Sequence, residues 1–172
     1  LERFNVQTMS VKGYVMSSIT IFQINVSQGG VPKLPVRSAE VTELGLVGDA
    51  HNNTKVHGGP LRALCLYSLE RILALQAEGH PIFPGSTGEN LTFAGLDWDA
   101  IVPGARLRLG DTVEIEVTKY TEPCPKITES FAGSDISRMA QDKHPGWSRV
   151  YVRVLTPGSI CVGDKVALLT VE

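Results

Sequence analysis

Ile19, Ile21, Phe22, Ile24 and Val26 contain an alternating apolar set, with Thr20, Gln23 and Asn25 between them. Side chains on a strand point alternately to opposite faces, so this period of two predicts a strand over 14–26 with one face toward a core. Ser27-Gln28-Gly29-Gly30 breaks it, and 37–44 reads as a second short strand with Ala39, Val41 and Leu44 on its apolar side. A polar, glycine-rich stretch then runs from 45 to 60. The compact apolar run 63–67 predicts a buried strand. Residues 68–79 carry the clearest helix signal. Ser68 supplies an N-cap, Glu70 sits in the first turn at the positive end of the helix dipole, and Gly79 ends the helix. Leu69, Ile72, Leu73 and Gln76 fall at i, i+3, i+4 and i+7 and predict one mostly apolar face.

Short strands follow at 90–93 and 106–109. Gly110-Asp111 then leads into Val113, Ile115 and Val117, which alternate with Glu114 and Glu116, a hairpin pattern. Pro123 and Pro125 stop that strand, and 137–143 reads as a short helix. Val150, Val152 and Val154 alternate in a late strand, and 165–169 predicts a last one after Gly163-Asp164. About eight strands against one or two helices predict a mainly β domain, a closed or partly open barrel with one main helix, rather than a doubly wound α/β sheet.

A length of 172 residues fits a single domain, placed at 9–172, with 1–8 read as an upstream extension or cloning remnant. Hydrophobic residues at 42% and charged residues at 20% exclude a disordered chain, a collagen and a coiled coil. Lys+Arg is 16 and Asp+Glu is 18, giving a net charge of -2. That argues against a partner with the charge of a nucleic-acid duplex, while leaving room for a local basic pocket. The three cysteines, Cys65, Cys124 and Cys161, are odd in number and widely spread, which points to a reducing compartment rather than a secreted disulfide framework. No apolar run approaches the about 20 residues a membrane helix needs, and 11–26 lacks a signal-peptide cleavage pattern. A cytoplasmic protein without a membrane partner is expected.

Candidate chemistry gathers in three places. Gly45-x-x-Gly48-Asp49-x-His51 and His57-Gly58-Gly59 set glycines, a carboxylate and two histidines close together. Glycines permit close backbone approach to a ligand, and their exposed N–H groups can hold an anion. A hydrogen-bonded structural loop, with Asp49 and His51 locking turns, accounts for the same residues equally well. Asp49, His51 and His57 are suitable zinc ligands by type, yet their spacing matches no zinc signature, and a dedicated zinc site is not expected. Gly85-Ser86-Thr87-Gly88-Glu89-Asn90 reads either as a ligand-orienting turn or as a tight turn into a strand. The third place is Thr121-Glu122-Pro123-Cys124-Pro125-Lys126. A cysteine between two prolines at a strand end is not a core residue, and a cation two positions on favours the thiolate. Cys124 is therefore the candidate nucleophile, sulfur carrier or soft-metal ligand. Cys65, in an apolar run, reads as a small buried hydrophobe, and Cys161 as structural. Arg62, Arg138, Lys143, Arg149 and Arg153 read as surface charges unless some converge with Lys126 to hold a phosphate.

In order along 11–169, Gly29-Gly30-Val31-Pro32-Lys33, the two glycine–histidine motifs, Arg62-Ala63, Tyr67-Ser68-x-Glu70, Gly88-Glu89-Asn90-Leu91, Gly95-Leu96-Asp97, Gly104, Gly110-Asp111 and Pro123-Cys124 resemble the MOSC family. The family is named for the C-terminal domain of molybdenum cofactor sulfurase, and the match is to its small stand-alone bacterial members. The resemblance implies a β-barrel and a pocket for the pyranopterin molybdenum cofactor. It puts Cys124 in the place of the family's functional cysteine, which ligates molybdenum in some members and carries sulfur in others. It further implies Asp49, His51, His57, Gly58, Gly59, Arg62, Glu89, Asn90 and Lys126 as pocket residues. Relatives reduce N-hydroxylated compounds, including hydroxylamino-purines, with electrons from a partner protein. The family's association with pyridoxal phosphate comes from fused members with a desulfurase domain, and no lysine here stands out for a Schiff base. Three functions follow as alternatives: a molybdenum-dependent reductase of small molecules, a carrier that takes sulfur from a sulfur-donor protein as a persulfide on Cys124 for metal-sulfur cofactor assembly, and a non-catalytic binding module.

Overall fold

The structure, a computed structural model, describes residues 18–50 and 58–170. Its central strand is β5, Leu64–Ser68, buried at all five positions. An unbroken apolar run suits a strand with both faces covered. On one side β5 pairs antiparallel with β9, Val150–Thr156, and on the other it pairs parallel with β6, Leu91–Ala94. A parallel pair needs a crossover, and the helix α1, Leu69–Ala77, lies in it.

Around this centre lie β1 (Thr20–Val26), β2 (Leu34–Val36), β7 (Arg106–Leu109), β8 (Val113–Tyr120) and β11 (Val166–Leu169). The eight strands run in the order β11-β7-β8-β9-β5-β6-β1-β2. A second sheet of β10 (Gly158–Cys161), β3 (Ser38–Thr42) and β4 (Gly45–Leu46) completes the elements. The large sheet does not close by a continuous ladder. Its far sides meet at one bridge, Thr20 with Lys165, flanked by Ile21 N–H donating to the Asp164 carbonyl at 2.9 Å and Val166 N–H to the Ile19 carbonyl at 2.9 Å. Ile21, Ile24, Leu64, Leu66, Phe93, Leu107, Ile115 and Val152 are fully buried in one apolar cluster. The expected mainly β, partly open barrel with one main helix is what the chain forms.

Local differences have local causes. β1 starts at Thr20, and 14–17, included in the predicted strand, lie outside the described residues. The strands β2, β4 and β10 were not expected, being short and containing Pro35 or beginning with glycine. On α1 the Ser68 hydroxyl accepts the Arg71 N–H at 3.2 Å, as expected of a cap. Its buried residues are Ile72 and Leu75, while Leu73 is 52% exposed. The buried stripe is thus turned from the one predicted, and Gln76 reaches back to donate to the Ile82 carbonyl at 2.7 Å. The predicted helix over 137–143 is a 3-10 turn, Ile136–Met139. Asp135 caps it by accepting the Ser137 N–H at 3.1 Å, and Ala140 is already extended. Among the described residues no helix is long and apolar enough to cross a membrane.

Candidate functional site

Asn90, just before β6, is bonded to both β1 and β5. Its backbone N–H donates to the Cys65 carbonyl at 2.7 Å, and its carbonyl accepts the Asn25 N–H at 2.7 Å. Its side-chain oxygen accepts the Cys65 N–H at 3.1 Å, and its amide donates to Asp49 Oδ2 at 2.8 Å and to the Asn25 carbonyl at 3.3 Å. Asn90 therefore pins β1, β5 and the glycine-rich loop before residue 51 to one another. Asp49 is held from three sides. Its Oδ1 accepts the Ser27 N–H at 2.9 Å, and its Oδ2 accepts both Asn90 and the Lys33 ammonium. The Lys33 and Asp49 side chains are 7% and 2% exposed, so this ion pair is buried, and loss of either partner would strand the other charge.

The 85–88 turn forms the adjoining wall, and Glu89 is its strut. The Glu89 carboxylate is fully buried. It accepts the Gly85 N–H at 2.6 Å, the Thr87 hydroxyl at 2.8 Å and the Thr92 hydroxyl at 3.3 Å. Burial pushes its pKa up, against the downward pull of the Gly85 N–H and the Thr87 hydroxyl. Gly85 has φ +90°, and a Cβ there would lie 2.3 Å from the Lys33 carbonyl oxygen, so this approach requires glycine.

β8 delivers the cysteine. At its exit the Thr121 N–H donates to the Arg149 carbonyl at 3.0 Å and the Ser148 hydroxyl to the Thr121 carbonyl at 2.9 Å, tying it to the start of β9. Four residues on from Tyr120, the extended Cys124 caps a 3-10 turn, Pro125–Ser130, with Pro125 where a missing N–H costs nothing. The Ile127 N–H donates to the Cys124 carbonyl at 3.1 Å. The thiol is half-buried, neither core nor loop tip.

These segments enclose one open cavity. Cys124 and Lys126 line it together with Gly58, Arg62 and Asn90, all singled out from the sequence, and with Lys33, Cys65, Thr87, Gly88, Arg149 and Tyr151. Arg62, Lys126 and Arg149 therefore border it, besides Lys33, whose charge is met by Asp49, and among the described residues its lining holds no Asp or Glu. Asp49 and Glu89 sit behind the wall, their oxygens taken by the bonds above. Gly59 precedes the Pro60–Arg62 turn and is not part of the lining. His51 and His57 lie outside the described residues.

Of the basic residues considered for a phosphate, Arg62 and Arg149 join Lys126 on the cavity lining. Arg138 makes two bonds to Glu78, at 2.8 and 2.6 Å, and stacks over Trp147; Arg153 pairs with Glu116 at 2.8 Å; Lys143 is exposed. Cys65 is buried, as expected, but it also lines the cavity. Burial pushes its thiol up to about 11 against the pull of the neighbouring Arg149 guanidinium. Cys65 lies opposite Tyr151 across the β5–β9 ladder, and burial pushes the Tyr151 phenol up to about 12, so both are protonated at neutral pH. Tyr151 and Arg149 carry a legible signal, since they alternate with the buried Val150 and Val152. Among the described residues no three His, Cys, Asp or Glu side chains gather as a metal site.

The fold is mainly β, with a cationic cavity that holds a half-buried thiol on its wall. Residues 53–167 match the MOSC domain, and the chain belongs to the MOSC domain family. It is 34% identical over 139 residues to Protein YiiM of Escherichia coli, covering 76% of this chain and 58% of that protein. It is 32% identical over 130 residues to a protein named Reductase from Gibberella moniliformis, covering 73% of this chain and 22% of that one. The crystal structure of YiiM from Geobacillus stearothermophilus superposes with a TM-score of 0.68 at 25% identity, covering 88% of this chain and 75% of that one. The chain thus spans well under two thirds of the length of both sequence relatives.

Proposed function

We propose that this chain binds the pyranopterin molybdenum cofactor in the cavity and reduces N-hydroxylated compounds such as hydroxylamino-purines in the cytoplasm, with electrons from a partner protein. The observation that carries this reading is the half-buried Cys124 thiol on a cavity wall shared with Lys33, Arg62, Lys126 and Arg149. The donor set fits the group: a soft sulfur for a soft metal, and cations without lining carboxylates for an anionic pterin. When bound, the cofactor would supply the two-electron chemistry.

The chain's own residues bind and orient. Cys124 would hold the metal through its sulfur, with Lys126 on the same cavity wall. The buried Lys33–Asp49 pair and the Asn90 amide hold the loop that borders the cavity in one geometry. Arg62 and Lys126 draw an anionic ligand toward it. The Tyr151 phenol on the cavity wall keeps its proton at neutral pH. The relative named Reductase supports the reaction class.

The test is anaerobic reduction of 6-hydroxylaminopurine by cofactor-loaded protein and a chemical electron donor. Cys124→Ser is expected to abolish turnover, and unchanged turnover overturns the reading. A second reading, a persulfide on Cys124, rests on the same thiol beside Lys126. It predicts one added sulfur on Cys124 by mass spectrometry after incubation with a cysteine desulfurase and cysteine, and an unmodified Cys124 refutes it.

A further inference from the structure

Arg149 is buried in a way that none of the bonds above explains. It is 7% exposed, its Nη1 donates to the Thr87 carbonyl, and its Nε is buried without a hydrogen-bond partner. Three other arginines also carry one unpartnered buried nitrogen, but each has a carboxylate: Asp99 for Arg71, Glu78 for Arg138, Glu116 for Arg153. Among the described residues Arg149 has no such ion pair. The buried Glu89 carboxylate acts on it only through space, its oxygens being taken by Gly85 and Thr87, and the neighbouring Cys65 thiol is neutral. A guanidinium cannot escape burial by giving up its proton, so a buried one without a counter-ion is costly.

A counter-ion in direct contact with the guanidinium has a route of entry. Arg149 lines the cavity between Cys65 and the Thr87-Gly88 wall. At Gly88 a Cβ would lie 3.1 Å from Val31 Cγ1 and 3.9 Å from Arg149 Nη1, so glycine keeps the approach to the guanidinium open. Lys126 faces the same space. Several cations without a lining carboxylate suit a dianion, and the planar guanidinium fork matches a tetrahedral oxyanion.

We propose that Arg149 is the phosphate receptor of this cavity, taking a phosphate monoester that belongs either to the pterin cofactor or to a nucleotide substrate. The choice between those two sources rests on the reading under Proposed function; binding of the phosphate itself does not.

The test uses the full chain from a host that does not make the cofactor, titrated calorimetrically with inorganic phosphate and with AMP at fixed ionic strength. Arg149→Gln is expected to weaken phosphate binding by about tenfold or more, the scale of a lost charged hydrogen bond. Arg153→Gln, outside the cavity, is expected to leave it unchanged. An absence of phosphate binding in the wild type, or equal affinity in Arg149→Gln, overturns the proposal. A merely structural Arg149 would show as a lowered melting temperature with an unaltered phosphate response. Should Arg149→Gln not fold, Arg149→Lys decides: it keeps the charge but loses the fork, and unaltered affinity in it overturns the proposal.

Protein from a cofactor-making host separates the two sources. Loss of bound pterin in Arg149→Gln assigns the cofactor's phosphate. Full pterin content, with KM raised for a phosphorylated N-hydroxy-purine nucleotide but not for the free base, assigns the substrate's. If the wild type carries no pterin while phosphate binding still depends on Arg149, the cofactor reading falls and the phosphate receptor stands.

Discussion

Replacing Glu89 by alanine removes the acceptor around which the 85–88 turn is built. Two short bonds are lost, from the Gly85 N–H at 2.6 Å and the Thr87 hydroxyl at 2.8 Å, along with a longer one from Thr92 at 3.3 Å. A buried donor left without a partner costs about 1–3 kcal/mol. The two hydroxyls can rotate toward other acceptors, whereas the Gly85 N–H cannot, and removing a buried carboxylate returns part of its desolvation cost. Together these give about 2–4 kcal/mol of destabilisation for Glu89→Ala. Glu89→Gln keeps an oxygen for the Gly85 N–H and lets the Thr87 hydroxyl turn to accept from the new amide, so about 1 kcal/mol is expected. The assay is urea unfolding, read at the midpoint and slope. The pH dependence is a second check. Because burial raises the folded-state pKa of Glu89, its contribution to stability is present below the ordinary carboxylate range and is lost as pH rises through the raised value. The wild type's advantage over Glu89→Gln should therefore shrink with rising pH. The reasoning is refuted if Glu89→Ala unfolds within experimental error of the wild type, or if Gln is as damaging as Ala.

Gly85→Ala is expected to cost more than about 3 kcal/mol or to prevent folding, since the new methyl meets a backbone carbonyl at a positive φ. At Gly104, also at positive φ but with open space around it, Ala should cost only about 1 kcal/mol, and equal urea midpoints for the two variants would contradict the clash. Glu116 is held below the usual carboxylate range by its hydrogen bond from Arg106 and the charge of Arg153. Its contribution is present above the ordinary carboxylate pKa and is lost as pH falls through the depressed value. Glu116→Gln should therefore lower stability at pH about 7, by no more than about 1 kcal/mol for a partly exposed cluster, and match the wild type in acid.

What could be read along the chain depended on how local the cause was. The strand Arg106–Leu109 and the hairpin into β8 were legible residue by residue, because alternation and a Gly-Asp turn agree there. β4 and β10 were not, since pairing with β3 alone makes strands of them. Cys124 was legible because two prolines mark its loop as irregular whatever surrounds it. Cys65 was half legible: an apolar run predicts burial, but not that a cavity lies on the far side. Asp49 and Glu89 are ligand types by chemistry, and only tertiary structure shows that backbone N–H groups and neighbouring side chains occupy their oxygens. Arg149 stood among several basic residues of the last third, and its convergence with Lys126 arises from β8 and β9 meeting at Thr121.

The central claim is that the Cys124 thiolate holds a metal-pterin cofactor in this cavity. Molybdenum content by elemental analysis, with pterin fluorescence, on freshly isolated wild type and Cys124→Ser from a cofactor-making host tests it most directly. The account predicts molybdenum and pterin together in the wild type and loss of the metal on substitution of the sulfur. A wild type with neither, or a serine variant with its full complement of molybdenum, contradicts it.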